Sequence, residues 1–451
     1  MLGSLEWLLR ELVRRDSADY AGGTAFARDA RDVFRRYLRG EPLLAGPHVA
    51  RFEQALQEYH GGFDAITFAA GRMALYAILK SMDLREGDEI ILPGYTCVVI
   101  PNAIRRAGLT PVYVDISDRD FNMLPDGVAQ AITAKTKAIL AQATFGVPCD
   151  MEALLDLSRR TGVPVIEDGA HAIGARWNGQ RLGGLGYAAF FSTQATKMLS
   201  TERGGYVVTT DAELSRRVRS IQQQAPFGSV EYERACLLRW CYRAALLGVP
   251  ALRPRLRVAE AVLTKLRVPG AATVLRYDAD DYQAAVEGRP FSPYPARMPN
   301  LMAYAGLLQL RRLEEDLAHR RRLVAYLEAE LPGLGAQVAR YDSTRARPSW
   351  VRFPFVVADR AKWAAGMERH GLPEGTWLND PIHPKGSNWR TAGYTRGQCP
   401  IAEKVSNHML NVPVHRRINL SRLREWIRDC HRRVRKKARR PRPDTITATR
   451  C

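Results

Sequence analysis

The sequence predicts an α/β fold, with a large domain on a mostly parallel mixed sheet followed by a smaller α+β C-terminal domain. Three observations carry this. From about residue 65 to 210, short β-branched runs alternate with segments of helical apolar spacing, the pattern of a sheet covered by helices. At 451 residues and 46% hydrophobic, the chain is long enough for two domains and a large buried core. Beyond residue 290, a long helical stretch leads into a second region with strand-like character.

Residues 1–40 read as an N-terminal helical segment. Its opening, Met1 to Asp16, is not a targeting signal, because charges interrupt the apolar run and no small-residue cleavage site follows. No apolar stretch reaches the ~20 residues needed to span a bilayer, so a cytoplasmic protein is expected. Residues 41–224 form the large α/β domain. Its predicted strands are Ala65–Phe68, Glu89–Leu92, Pro111–Asp115, Ala138–Gln142, Pro164–Glu167, Ala188–Ser192 and Tyr206–Thr209, with helices such as Met73–Met82 and Met151–Thr161 between them. In open α/β sheets, ligands bind outside the carboxyl ends of the strands, so polar residues just after these strands are the place to look for chemistry.

The alternation stops in a basic and apolar insertion at residues 225–290. Within it, Arg239 and Arg243 are four apart and share a helix face. The segment reads as an insertion packed on the core or on a partner subunit, or alternatively as a surface that docks on an anionic membrane together with the basic tail. Residues 291–430 hold a long helix from about Asn300 to Glu330, a strand near Trp350–Val357 and a closing helix near Leu420–Cys430. Residues 431–451 form a basic tail, read as disordered, with His431 to Arg442 as its concentrated block. Net charge is +20, but no zinc finger, RRM or basic zipper accompanies the tail, which speaks against specific nucleic-acid binding. Seven scattered cysteines show no CxxC pair and no metal-ligand spacing, as expected for free thiols in a reducing compartment.

Three local signals carry chemistry. The first is Phe190-Phe191-Ser192-Thr193-Gln194-Ala195-Thr196-Lys197, a hydrophobic strand running into a polar turn that ends in a lysine. Arginine is this chain's usual cation, yet only a lysine can form an imine. The bland alternative is a surface lysine at a helix start. The second signal is Val165-Ile166-Glu167-Asp168-Gly169-Ala170-His171. A carboxylate there suits a protonated ring nitrogen, or else Asp168 is a helix cap and His171 a core histidine. The third is Thr67 to Leu75, with Gly71 and Arg72 at a strand–helix turn whose free amides suit a phosphate. Any tight strand–helix turn also uses a glycine.

Their order along the chain resembles the DegT/DnrJ/StrS group of sugar aminotransferases, of the fold-type I pyridoxal-phosphate (PLP) architecture. The resemblance runs from about Leu43 to Glu425, interrupted at 225–290. Further landmarks are Leu44-Ala45-Gly46-Pro47 with Phe52-Glu53, Gly87 to Pro93 leading to Tyr95-Thr96, Gly146 to Met151, Gly204 to Thr209, and Asn411 to His415. The resemblance implies Lys197 as the Schiff-base lysine and proton carrier. It places Asp168 on the pyridine nitrogen, His171 near the phenolic oxygen, and Ser192 with the amides of Gly71 and Arg72 on the phosphate. It also puts Cys97, with Tyr95 close by, where an aromatic often stacks on the cofactor ring. It departs from the family at Cys97, at Arg203 in place of a glutamate, and at Pro295 in place of an asparagine.

The implied reaction moves an amino group from an amino acid such as glutamate to a keto-sugar, expected to be nucleotide-linked, in surface-glycan or secondary-metabolite synthesis. A homodimer is implied, and no metal. The alternatives are a PLP enzyme with non-transaminating chemistry on an amino acid, and a non-catalytic homologue that keeps the fold.

Overall fold

The computed structural model describes residues 25–248, 286–287, 293–372, 375 and 377–438. The segments 1–24, 249–285 and 439–451, which the sequence assigns to the N-terminal segment, the insertion and the tail, lie outside them.

Seven strands build the large sheet: β1 (Asp64–Phe68), β2 (Glu89–Pro93), β3 (Thr110–Val114), β4 (Thr136–Gln142), β5 (Val165–Asp168), β6 (Ala188–Ser192) and β7 (Gly205–Thr209). Their spatial order is β1-β7-β6-β5-β4-β2-β3. β7 runs antiparallel to both neighbours, with Asp64 opposite Thr209 and Gly205 opposite Ser192. All other pairs are parallel. Sheets of this kind are covered on both faces, which explains why Ile90-Ile91-Leu92 and Ala189-Phe190-Phe191 are apolar throughout and fully buried. All seven strands match the sequence expectation to within one or two residues at each end.

The smaller unit holds an antiparallel sheet of Gln337–Val338, Phe353–Val356 and Met409–Val412, with helices Arg360–Arg369 and Leu420–Ala438 packed nearby. Three expectations need correction here. The long helix is two helices, Asn300–Leu310 and Leu313–Glu330. No glycine or proline marks the break; Arg312 leaves helical geometry (φ −122°) and its guanidinium is held by Asp29 and by the carbonyl of Leu308. The strand near Trp350 begins only at Phe353, because Trp350 sits at a positive φ of 51°. The closing helix continues to Ala438, so 431–438 is helical rather than disordered, and His431 reaches Glu330 at 3.1 Å. Among the described residues, no helix is long and apolar enough to cross a membrane.

The N-terminal part of the large domain is fastened to the sheet by Glu53, a buried carboxylate on helix His48–Tyr59. It accepts hydrogen bonds from the Thr67 amide and hydroxyl (both 2.8 Å), from Gln222 (2.7 Å) and from Arg219 (2.6 Å). Glu53→Ala strands these donors in the interior. We expect roughly 2–4 kcal/mol loss of unfolding free energy in denaturant titration, with Glu53→Gln retaining a large part.

Candidate active site

The sheet topology brings the three sequence signals to one cavity of about 700 Å³. Gln142, Asp168 and Ser192 close the carboxyl ends of the adjacent parallel strands β4, β5 and β6. Gly71 and Arg72 open the helix Gly71–Lys80 that follows β1, and Cys97 belongs to the short strand Thr96–Cys97. Lys197 lies in the loop after β6. All of these line the same cavity, as does His171.

Close packing fixes the Gly71 turn. A Cβ on Gly71 would lie 2.9 Å from the Ser192 Cβ, and one on Gly205 would lie 2.3 Å from the Gly71 Cα. Three backbone segments therefore meet where only glycine fits, and the amides at the helix start stand beside the Ser192 hydroxyl.

Burial sets the electrostatics. Lys197 is drawn down to about 8 by desolvation, against the opposing pull of Cys97 and the Asp168 carboxylate. Asp168 is pushed up to about 6 by the same burial, although the Ala170 amide (2.9 Å) and Lys197 favour its charged form. Burial raises the Cys97 thiol, so it is uncharged at neutral pH. His171 is held well below the usual imidazole value by burial, with Lys197 and His383 adding to the effect, and is neutral. Its ring stacks on Trp377 (5.0 Å between centroids), and its Nδ1 has no hydrogen-bond partner among the described residues.

The lysine loop is built as a rigid hairpin. Thr193 donates its amide to Gly204 (2.9 Å), Thr201 to Thr193 (2.7 Å) and Ala195 to Glu202 (3.0 Å). Its tip is gripped by Trp240 and Gln309, whose side chains donate to the Ser200 carbonyl at 2.9 and 2.6 Å. Glu202 occupies a positive φ of 61°, a costly backbone state for a non-glycine residue. Its buried carboxylate binds Arg239 (2.6 Å) and Arg243 (2.7 Å), while Arg203 pairs with Glu233 (3.4 Å).

These contacts settle the role of the described part of the insertion. Helix Val230–Gly248 packs on the lysine loop, with Leu237 and Trp240 in the core and Arg239 2% exposed. Arg239 and, in part, Arg243 are turned inward to Glu202 rather than forming an open basic face. Arg243 reaches the cavity itself.

Of the sequence candidates, Tyr95 alone does not line the cavity. It is fully buried behind Gln142, and its hydroxyl donates to the Leu378 carbonyl (2.6 Å). The sequence reading missed Gln142, Trp377 and His383, and it named Arg203 and Arg243 without placing them in the cavity. Gln142 was available as a polar residue at a strand's carboxyl end. Trp377, whose ring centroid lies 4.6 Å from the Lys197 Nζ, and His383 arrive from the smaller unit, and no local motif announces them.

The sheet order and the lysine–carboxylate cavity at its carboxyl edge define a fold-type I aminotransferase architecture. The sequence profile of the DegT/DnrJ/EryC1/StrS aminotransferase family matches residues 26–235 and 259–428, and the chain belongs to that family. It is similar to GDP-perosamine synthase of Caulobacter vibrioides, at 30% identity over 295 residues. That alignment covers 65% of each protein, so the chain matches just under two thirds of the length of that curated relative. Among solved structures, DesV of S. venezuelae is 25% identical with a TM-score of 0.68, covering 92% of this chain and 95% of DesV. Spr1654 of Streptococcus pneumoniae in its PLP form has a TM-score of 0.69 at 19% identity, covering 92% and 98%.

The family's cofactor is pyridoxal 5′-phosphate. The residues present fit it. The Gly71 cradle sets the start of a helix against the Ser192 hydroxyl where a Cβ would collide, the setting a phosphate needs. The His171 Nδ1 has no hydrogen-bond partner among the described residues, and the Asp168 carboxylate, which accepts only the Ala170 amide among them, lines the same cavity.

Because burial brings Lys197 to about 8, its amine is free over a larger share of neutral pH than an exposed lysine's. The amine reacts only when unprotonated, so the rate of PLP capture by apoprotein rises with pH through about 8 and levels above it. Stopped-flow absorbance across that range checks this; a rise continuing to the ordinary lysine value near 10.4 contradicts it.

Proposed function

We propose that the chain moves an amino group from an amino acid to a keto-sugar, nucleotide-linked, with PLP as cofactor. The observation that carries this is the convergence in one cavity of a half-buried lysine lowered to about 8, a buried carboxylate and the Gly71–Ser192 cradle. Likeness to GDP-perosamine synthase supports the sugar as acceptor.

In this reading Ser192 and the amides of Gly71 and Arg72 hold the phosphate, with the Arg72 guanidinium adding a charge-assisted contact. Asp168 would face the ring nitrogen and keep it protonated. That ion pair would draw the carboxylate back toward ionisation against the burial that raises it to about 6. His171, neutral through burial, sits by the phenolic oxygen with Nδ1 able to make one hydrogen bond. The bound cofactor supplies a carbon that carries the amino group and a ring that accepts electrons from the substrate carbon.

Lys197 moves the protons. Its unprotonated Nζ would accept a proton from the donor's α-carbon in one half-reaction and would deliver one to the sugar carbon in the other. Trp377, with its ring centroid 4.6 Å from the Lys197 Nζ, and His383 line the cavity beside the lysine and would limit its hydration. The reading includes a homodimer.

The test is absorption spectroscopy of the PLP-loaded protein mixed with glutamate. Wild type is expected to lose its Lys197-dependent visible band as the amino group passes to the cofactor, and adding a nucleotide-linked keto-sugar is expected to restore it. A band that no amino acid discharges, or that returns only by loss of carbon dioxide or another fragment, contradicts amino transfer.

A further inference from the structure

A second cavity, of about 520 Å³, lies apart from the active site and shares no lining residue with it. One wall is the helix Leu313–Glu330, which contributes Arg321. Another is the antiparallel pairing of Arg176–Trp177 with Ala346–Arg347, in which Arg347 stands directly opposite Arg176. Arg345, Ser343 and Thr344 complete the rim.

Like charges placed directly opposite on paired strands destabilise a sheet. Here the cost is not offset by carboxylates. Arg345 is engaged by Glu152 and Asp342, but no ion pair joins Arg176, Arg321 or Arg347 to an acid among the described residues. The Arg176 guanidinium holds only the Gly179 carbonyl, at 2.7 Å. Glu328, the one acid among the described lining residues, accepts the Tyr341 hydroxyl at 3.0 Å, and burial pushes it up. Burial and then the neighbouring Arg347 bring Arg321 below its usual value, with Glu314 and Tyr59 opposing and Arg176 adding to the fall. A concave site lined by three arginines that have no acid partner among the described residues, with a rim of hydroxyls, fits an anion with at least two charges. The planar guanidinium fork suits phosphoryl oxygens, which accept two parallel hydrogen bonds.

We propose that this cavity is a diphosphate-binding site, distinct from the PLP site, held by Arg176, Arg321 and Arg347. Its volume exceeds that of a single phosphate, and two walls of cations clamp an extended dianion better than a point charge. The diphosphate is carried either by a nucleotide or as the free ion.

The test is calorimetric titration of full-length protein, loaded with PLP, with inorganic pyrophosphate and separately with ADP, at fixed ionic strength. Wild type is expected to bind pyrophosphate. Arg321→Gln combined with Arg347→Gln is expected to weaken binding roughly tenfold or more, whereas Arg72→Gln, in the active-site cavity, leaves that affinity unchanged. Tighter binding of ADP assigns the site to nucleotides, and equal binding assigns it to the free ion. Without ligand, Arg347→Gln is expected to melt at or above the wild-type temperature, since it removes a repulsion. Absence of binding, or binding that Arg72→Gln abolishes and the double variant keeps, overturns the proposal. So does a ligand-free Arg347→Gln protein that melts well below wild type, because the arginine is then structural.

Discussion

The site depends on placing a half-buried lysine beside a buried aspartate in one cavity of low hydration. A charge moved into the interior is costly, and each group answers by shifting toward its neutral form, Lys197 down to about 8 and Asp168 up to about 6. Their mutual attraction favours the charged forms and opposes both shifts, so neither group is extreme. A lysine poised in this way is both nucleophile and proton carrier near neutral pH, which the same residue on the surface is not.

The fold supports that burial from two directions. Parallel strands β4, β5 and β6 end side by side, so Gln142, Asp168 and Ser192 reach one cavity without any residue leaving a regular element. From outside, helix Val230–Gly248 pins the lysine loop through Arg239, Arg243 and Trp240. The pair Glu202–Arg239 is almost fully buried, and a buried pair of this kind does more for a unique geometry than for net stability. Its effect is to hold a residue at positive φ five positions beyond Lys197.

Much of this was legible in the sequence where the signal was local. Strand positions follow from apolar runs, and Asp168, Ser192 and Lys197 sit where the strand ends predict. The Gly71 turn was legible as well, although its physical reason, the approach of Gly205 and Ser192, comes from chain 120 residues away. What the sequence hid was set by contacts between distant segments. Nothing near residue 377 says that a tryptophan meets Lys197, and the break after Leu310 comes from Arg312 engaging Asp29. The arginines at 239 and 243 looked like an outward basic face because their partner, Glu202, is more than thirty residues earlier. Tyr95 lies one layer behind the cavity: Cys97, two residues on, lines it, while the Tyr95 hydroxyl ties down Leu378.

The most direct test of the central claim is to reduce PLP-loaded protein with borohydride and map the pyridoxyl group by peptide mass spectrometry. The account predicts a single modified residue, Lys197, with no modification in Lys197→Ala. A pyridoxyl group on another of the lysines, or none on wild type, contradicts it.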